Sequence, residues 1–179
     1  PTAAPDMEMT LQGVDELSPN ESLEAMAAWD DRLLIGAERG RDRGASPFWI
    51  ATPGALPPAP AGRAPLQDGY GLVGLTRTPD GDFIAMERFF APLIGARIYL
   101  RRVTQAGLSE TPAVWRGDTV ADLGPPVALD NFEGISAVAR PEGGTRVYLI
   151  SDDNFNRVQR TLIYAFGLKP DPAPQKTKP

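Results

Sequence analysis

The residues of this chain whose chemistry could support a function are carboxylates and arginines. The 179 residues include no histidine and no cysteine, which excludes Ser–His–Asp and Cys–His nucleophiles, histidine or thiolate metal sites and disulfide bonds. Asp and Glu are then the available acids and bases, and arginine is the available anion ligand. A hard cation with oxygen ligands, such as calcium, is the metal that this composition favours.

Carboxylates recur at the ends of three predicted β-hairpins. In each hairpin two apolar runs flank a turn, and an acid follows the second run. The start of one strand and the end of its antiparallel partner lie at the same edge of a sheet, so we expect these acids on one rim. Glu24 is predicted to be solvated surface that strand alternation can bring toward the rim. The expected neighbours are Glu21 with Glu38, Tyr70 with Glu87, and Asp130 and Glu133 with Asp152 and Asp153.

This rim predicts a metal site. Clustered carboxylates repel one another unless a cation, an arginine or shared protons intervene, and all three lysines lie in the last eleven residues. Calcium is therefore the predicted occupant. Its predicted ligands are Glu38, Glu87, Asp130, Asp152, Asp153 and Asn154.

Catalytic and substrate-binding roles follow from the same arrangement. Glu133 and Asp152 are predicted as general bases that activate a water molecule. Arg39 and Arg88 each follow directly after a rim glutamate, so both are predicted to bind the anionic group of a substrate. Because successive strand residues face opposite sides of a sheet, the same arginines could instead form structural ion pairs with a neighbouring unit.

The three hairpins predict a β-propeller. They begin at Ser22, Gly71 and Gly134, which lie 49 and 63 residues apart, close to the period of about 40–50 residues in four-stranded propeller blades. The proline-rich stretch from Thr52 to Pro65 is predicted to be a surface loop. Further strands are predicted at Phe48–Ala51, Ala96–Leu100, Ala113–Trp115 and Thr161–Phe166.

Local propensity offers an alternative for the first hairpin. Residues 18–34 also resemble a capped, alanine-rich helix, but the aligned copies contain Gly, Val and Ile with hairpin turns, so we predict a strand. A small residue recurs at Ala25, Gly74 and Ala137. This recurrence predicts innermost strands that crowd one another near the propeller axis.

The predicted fold is all-β: a partial propeller of about three four-stranded blades over residues 1–168. The blades are expected near residues 15–66, 67–128 and 129–168. Because a closed ring needs about four to eight blades, we expect an open ring whose N-terminal blades are missing from this chain or supplied by another subunit. Residues 169–179, rich in Pro and Lys, are predicted to be a disordered tail.

Charge argues against a nucleic-acid partner, and the length of the apolar runs argues against a membrane-spanning helix. The net charge is −5 and the lysines are confined to the tail, so a basic surface for nucleic acid is not expected. No apolar run approaches the roughly 18 residues that a membrane-spanning helix requires.

Three strings of the sequence resemble a known family. Asp130-Asn-Phe-Glu-Gly-Ile-Ser-Ala-Val, Tyr148-Leu-Ile-Ser-Asp-Asp-Asn-Phe and Asn20-Glu-Ser-Leu-Glu-Ala-Met-Ala resemble the C-terminal part of the phytase-like family, also described as esterase-like activity of phytase. The resemblance covers about residues 15–168. It implies a secreted or periplasmic β-propeller that hydrolyses ester or phosphate-ester substrates.

Two functional readings follow. The first is a hydrolase that acts on a small ester or phosphate ester with metal assistance at the acidic rim. The second is a non-catalytic, calcium-stabilised propeller whose rim binds a ligand or a protein partner.

Overall fold

The computed structural model describes residues 8–41 and 43–168. Strands dominate it, because the apolar runs alternate with Gly, Pro and Asp turns throughout the chain. The elements in chain order are a 3-10 helix (Val14–Glu16), β1 (Leu23–Trp29), β2 (Arg32–Ala37), β3 (Ala45–Ala51), β4 (Gly62–Pro65), β5 (Gly71–Arg77), β6 (Phe83–Ala91), β7 (Gly95–Val103), α1 (Gln105–Leu108), β8 (Gly117–Leu123), β9 (Phe132–Ala139), β10 (Thr145–Ser151) and β11 (Ile163–Leu168).

The strands form three antiparallel sheets that follow one another along the chain. Blade 1 has the order β1-β2-β3-β4, blade 2 the order β5-β6-β7-β8, and blade 3 consists of β9, β10 and β11. Each sheet is a meander of sequential neighbours, which is the topology of a propeller blade. The predicted all-β, propeller-like fragment with open sheets is therefore confirmed, and the strand, not the helix, is correct for residues 23–29.

The innermost strands of consecutive blades pack side by side. β1 contacts β5, and β5 contacts β9. One apolar core lies between blades 1 and 2, where the rings of Trp29 and Phe83 meet edge to face with centroids 5.5 Å apart. A second core lies between blades 2 and 3 and includes Ile84, Met86 and Phe132. β5 and the first half of β6 are thus buried on both faces, which explains their continuous apolar runs.

Two predicted elements differ from the structure. Ala113–Trp115 is not a strand, and the fourth strand of blade 2 is β8, which begins two residues later. The proline-rich segment is a loop only up to residue 61, because its last four residues form the edge strand β4. An edge position tolerates Pro65, since the missing N–H would otherwise face solvent. The predicted tail at 169–179 lies outside the described residues.

Small residues do occupy the crowded inner strands. A Cβ at Gly74 would lie 2.9 Å from Cγ2 of Ile135, on the innermost strand of the next blade. In blade 3, however, the strand pairing shows that the small residue is not the one predicted from the sequence. Ala25 pairs with Gly36 and Gly74 with Met86, each directly after a bulge. The equivalent residue in blade 3 is Gly134, which pairs with Ile150, so Gly134 replaces Ala137 in the alignment.

Replacing Gly74 with valine should lower the free energy of unfolding by about 1–3 kcal/mol, because the added methyl groups overpack the contact between blades 2 and 3. Urea denaturation would measure this loss. Ala139→Val adds two methyl groups at an exposed position of β9, and it should change the free energy by no more than about 0.5 kcal/mol. Equal stability of the two variants would contradict the crowding argument.

Candidate functional site

A β-bulge lies near the start of each innermost strand. In the pairing of each innermost strand with its neighbour, one residue has no partner on the neighbouring strand. This residue is Glu24 on β1, Val73 on β5 and Glu133 on β9. A bulge re-aims the side chain of the extra residue and is common beside active sites. In blades 1 and 3 the re-aimed residue is a glutamate, and both glutamates are exposed.

Glu24 is the residue at which charges from all three blades meet. Desolvation makes the largest contribution and raises the pKa of Glu24, and the negative charges of Glu38 and Glu133 raise it further. The positive charges of Arg88 and Arg39 oppose this rise. The residue is exposed overall, yet its carboxyl is surrounded closely enough to lose part of its hydration. Five charged side chains that are distant in sequence therefore share one end of the blades.

Arg39 ties blade 1 to blade 2 at this end. Its Nε donates to the carbonyl of Tyr70 at 3.1 Å, and its Nη2 donates to the carbonyl of Gly69 at 3.1 Å. Its Nη1 lies 3.2 Å from Oε1 of Glu21. Oε1 of Glu38 lies 3.9 Å from Nη2. The predicted alternative, an arginine that bridges neighbouring blades, therefore describes Arg39.

Arg88 makes the corresponding bridge from blade 2 to blade 3. Its Nη1 donates to Oδ1 of Asn131 and lies 3.3 Å from Oε1 of Glu133. Asn131 in turn donates from Nδ2 to the same Glu133 oxygen at 2.6 Å. The three side chains form a connected group that fixes the orientation of the Glu133 carboxylate.

Arg88 and Asn131 also line a cleft of 620 Å³ between blade 2 and the loop that connects β10 to β11. The cleft has polar and apolar walls, a combination typical of small-molecule sites. Its polar lining residues are Arg88, Asp130, Asn131, Asn156 and Gln159, and its larger apolar ones are Phe90, Leu129 and Val158.

Asp130 stands at the base of this cleft and is already engaged. Its Oδ1 accepts the backbone N–H of Asn131 at 3.0 Å, and its Oδ2 accepts the backbone N–H of Arg160 at 2.9 Å. The bond to Arg160 joins the irregular segment that precedes β9 to the far end of the loop. Asp130 therefore shapes the cleft.

The other acids of the motif shape the loop itself. Oδ1 of Asp152 accepts the N–H of Asn154 at 3.1 Å, and Oδ1 of Asp153 accepts the N–H of Phe155 at 2.9 Å. Asn154 and Phe155 have positive φ angles of 48° and 54°, and such side-chain bonds stabilise turns of this kind. The backbone N–H of Asp152 also donates to the carbonyl of Asn131 at 2.9 Å, which keeps the start of the loop beside the cleft.

Glu87 lies apart from this group. It pairs with Leu72, just as Ala37 pairs with Leu23 and Ser151 with Phe132, and all three residues are buried. Its Oε1 is 3.1 Å from Nε of Arg101, and its Oε2 accepts the N–H of Gln67 at 3.0 Å. The repeat alignment that equated Glu87 with Glu38 is thus displaced by one residue, and the true counterpart of Glu38 is Arg88.

A model of the phytase-like family, described as esterase-like activity of phytase, matches residues 2–155. The chain belongs to the phytase-like family. Its resemblance to that family is confirmed. No curated protein matches this phytase-like chain.

A solved structure from Bacteroides caccae, described as a protein of unknown function, is similar over 84% of this chain, with 8% sequence identity and a TM-score of 0.33. The phytase-like chain spans 62% of the length of that protein. Within the described ranges, no helix has the length and apolar character to cross a membrane.

The predicted calcium ligands do not fit a metal site in their observed positions. Among residues 8–41 and 43–168, no three Asp or Glu side chains are grouped so that they could hold a metal ion. Glu87 is buried beside Arg101, while Asp130, Asp152 and Asp153 accept backbone N–H groups. A cation therefore has no assigned role in catalysis.

Calcium chloride and EDTA should both leave the melting temperature of the phytase-like chain unchanged, because these carboxylates already have protein partners. Differential scanning calorimetry in the two conditions measures this. An increase of several degrees in calcium would instead show that the loop carboxylates rearrange around the ion.

Sequence reasoning missed the two residues that connect the group. The sequence alignment matches Glu24 with Val73 and Ser136, whereas the bulges match it with Val73 and Glu133. The sequence therefore predicts Glu24 as solvated surface. Asn131 lies between two predicted site residues, but only the structure shows that its amide links Arg88 to Glu133.

Proposed function

We propose that this phytase-like chain hydrolyses esters by acid–base chemistry at the end of the blades where Glu24, Glu133 and Arg88 meet, beside the cleft that Arg88 and Asn131 line. The single observation that supports the proposal is the convergence on Glu24 of Glu38, Glu133, Arg39 and Arg88. Carboxylates in different electrostatic environments, beside an arginine that can hold an anion, provide the groups that ester hydrolysis requires.

Glu133 is the general base in this mechanism. Asn131 and Arg88 orient its Oε1, and its carboxylate is exposed enough to meet a water molecule. Glu133 removes a proton from that water while the water oxygen attacks the carbonyl carbon or the phosphorus of the ester. Asp152 is the second candidate for this role, because its backbone is bonded to Asn131 beside the same cleft.

Glu24 is the general acid. Desolvation and the negative charges of Glu38 and Glu133 raise the pKa of Glu24, which is the direction that suits a group protonating the departing alkoxide. Arg88 stabilises the negative charge that develops on the carbonyl or phosphoryl oxygen. The bond from the acyl or phosphoryl centre to the alcohol oxygen breaks, and the alcohol leaves with the proton of Glu24.

Glu24→Gln tests the proposal through activity and stability together. The glutamine cannot donate a proton as an acid, so kcat for an ester should fall about 100-fold. The folded state raises the pKa of Glu24, so ionisation of this group destabilises the fold as the pH rises. The variant should therefore melt at a higher temperature than the unmodified protein at neutral pH, and the difference should vanish near about pH 3, where the carboxyl is protonated in both states.

Glu110→Gln is the matched control. Glu110 forms an exposed pair with Arg116, 2.9 Å away, and has no part in the cleft, so both activity and the pH dependence of melting should stay unchanged. If Glu24→Gln retained full turnover, the assigned acid would be wrong. If the unmodified chain hydrolysed neither carboxylic nor phosphate esters, the alternative of a non-catalytic binding rim would replace the proposal.

A further inference from the structure

The cleft has two apolar walls that come from different parts of the chain. Phe90 lies near the end of β6 and is 70% exposed, while Val158 lies in the loop between β10 and β11 and is 84% exposed. Both line the same cavity as Arg88. Exposed large apolar side chains that line one concave site favour an apolar ligand group.

The charge of the cleft is close to neutral. Of the described residues that line it, Arg88 is the one cation and Asp130 is the one acid, while Asn131, Asn156 and Gln159 are uncharged. Arg88 already lies 3.3 Å from Glu133. Arg160, at the edge of the loop, lies 3.9 Å from Asp130. The positive charge at the site can therefore match one anionic group of a ligand but not several.

A polyphosphorylated ligand does not match this balance. Each phosphate monoester carries about −1.5 to −2 charges at neutral pH, and tight binding of each group calls for its own arginine or lysine partners. An inositol hexakisphosphate would bring several such groups to a cleft whose described lining has one cation, Arg88, and one acid, Asp130, which repels them.

We infer that the cleft accepts esters of low charge, with one oxyanion or carbonyl oxygen at Arg88 and an apolar aryl or alkyl group between Phe90 and Val158, and that it rejects phytate. This inference rests on the proposed function, since it names the substrate class of that site.

Substrate comparison is the first test. The kcat/KM for 4-nitrophenyl butyrate or 4-nitrophenyl phosphate should exceed that for phosphate release from phytate by at least about 100-fold, as the unmatched charges of phytate oppose binding. Equal or faster hydrolysis of phytate would overturn the inference while leaving the proposed hydrolase in place.

A pair of variants tests the apolar wall. Phe90→Ser should raise KM for 4-nitrophenyl butyrate about 5- to 10-fold through lost apolar contact. Leu93→Ser is the control, because Leu93 lies in the adjacent turn, is fully exposed and does not line the cleft. Equal effects of the two variants would count against the assigned wall.

A binding measurement separates this inference from the proposed function. Phenylphosphonate should bind about 10-fold more tightly than methylphosphonate in calorimetry, and Phe90→Ser should remove most of that difference. This result without turnover of any ester would support the apolar cleft and contradict the hydrolase. Turnover of aryl esters with no preference between the two phosphonates would support the hydrolase and contradict the apolar cleft.

Discussion

Replacing Arg88 with alanine should lower kcat/KM for ester hydrolysis about 100- to 1,000-fold, the cost of removing a preorganised donor from a developing oxyanion. Arg88 is the one cation among the described residues that line the cleft. It also orients Glu133 through Nη1, so its loss affects both the anion and the base. Steady-state kinetics with an aryl ester measures the effect.

Two further variants separate chemistry from folding. Arg88→Lys keeps the positive charge but loses the planar guanidinium group, so its activity should lie between those of Arg88→Ala and the unmodified protein. Arg116→Ala removes an arginine that is 63% exposed and paired with Glu110, and it should leave turnover unchanged. Arg88 also bonds the carbonyl of Phe132 in blade 3, so urea denaturation must show that the variants are folded at the assay temperature. Unchanged kcat/KM in a folded Arg88→Ala protein would remove this arginine from the site.

Replacing Glu87 with alanine should lower the free energy of unfolding by about 3 kcal/mol, because it breaks a buried ion pair and leaves its partners unmatched. The Glu87 side chain is 1% exposed and that of Arg101 is 17% exposed. The substitution also removes the acceptor for the N–H of Gln67. Urea denaturation at neutral pH gives the change directly.

Glu110→Ala supplies the comparison for this loss. It breaks the pair with Arg116 at the surface, where such pairs contribute less than about 1 kcal/mol. Glu87→Gln retains a carbonyl oxygen that can accept the N–H of Gln67, so its loss should lie between those of the two alanine variants. If Glu87→Ala were no less stable than Glu110→Ala, the buried pair would contribute nothing measurable to the free energy of unfolding.

The contrast between Glu87 and Arg88 also shows where sequence comparison loses precision. Both residues lie on β6, one position apart, and strand alternation sends their side chains to opposite faces of the sheet. The sequence aligns Glu87 with Glu38, but the two hairpins differ in length: Ala25 pairs with Gly36, 36 − 25 = 11 residues on, whereas Gly74 pairs with Met86, 86 − 74 = 12 residues on, so the pairing is displaced by one residue. A shift of this size exchanges a rim residue for a buried one.

The surroundings of Glu24 could not be read from the sequence either. Glu24 lies at a bulge of β1, and its carboxyl is influenced by Glu38, which follows β2, and by Glu133 of blade 3. Nothing in the local sequence predicts a bulge at this position.

Composition and local pattern were enough to predict the hairpins, their repetition into blades, the lack of histidine and thiol chemistry, and a group of acids and arginines at one end of the strands. Those features follow from local rules, since side-chain alternation, turn residues and composition act over a few neighbouring positions. Which charges meet depends on the tertiary structure. Arg39 and Arg88 reach the next blade, Glu87 turns into the protein interior, and Glu24 stands among charges from all three blades. These outcomes depend on strand register and on the packing of blades distant in sequence, and a single residue of register is enough to change them.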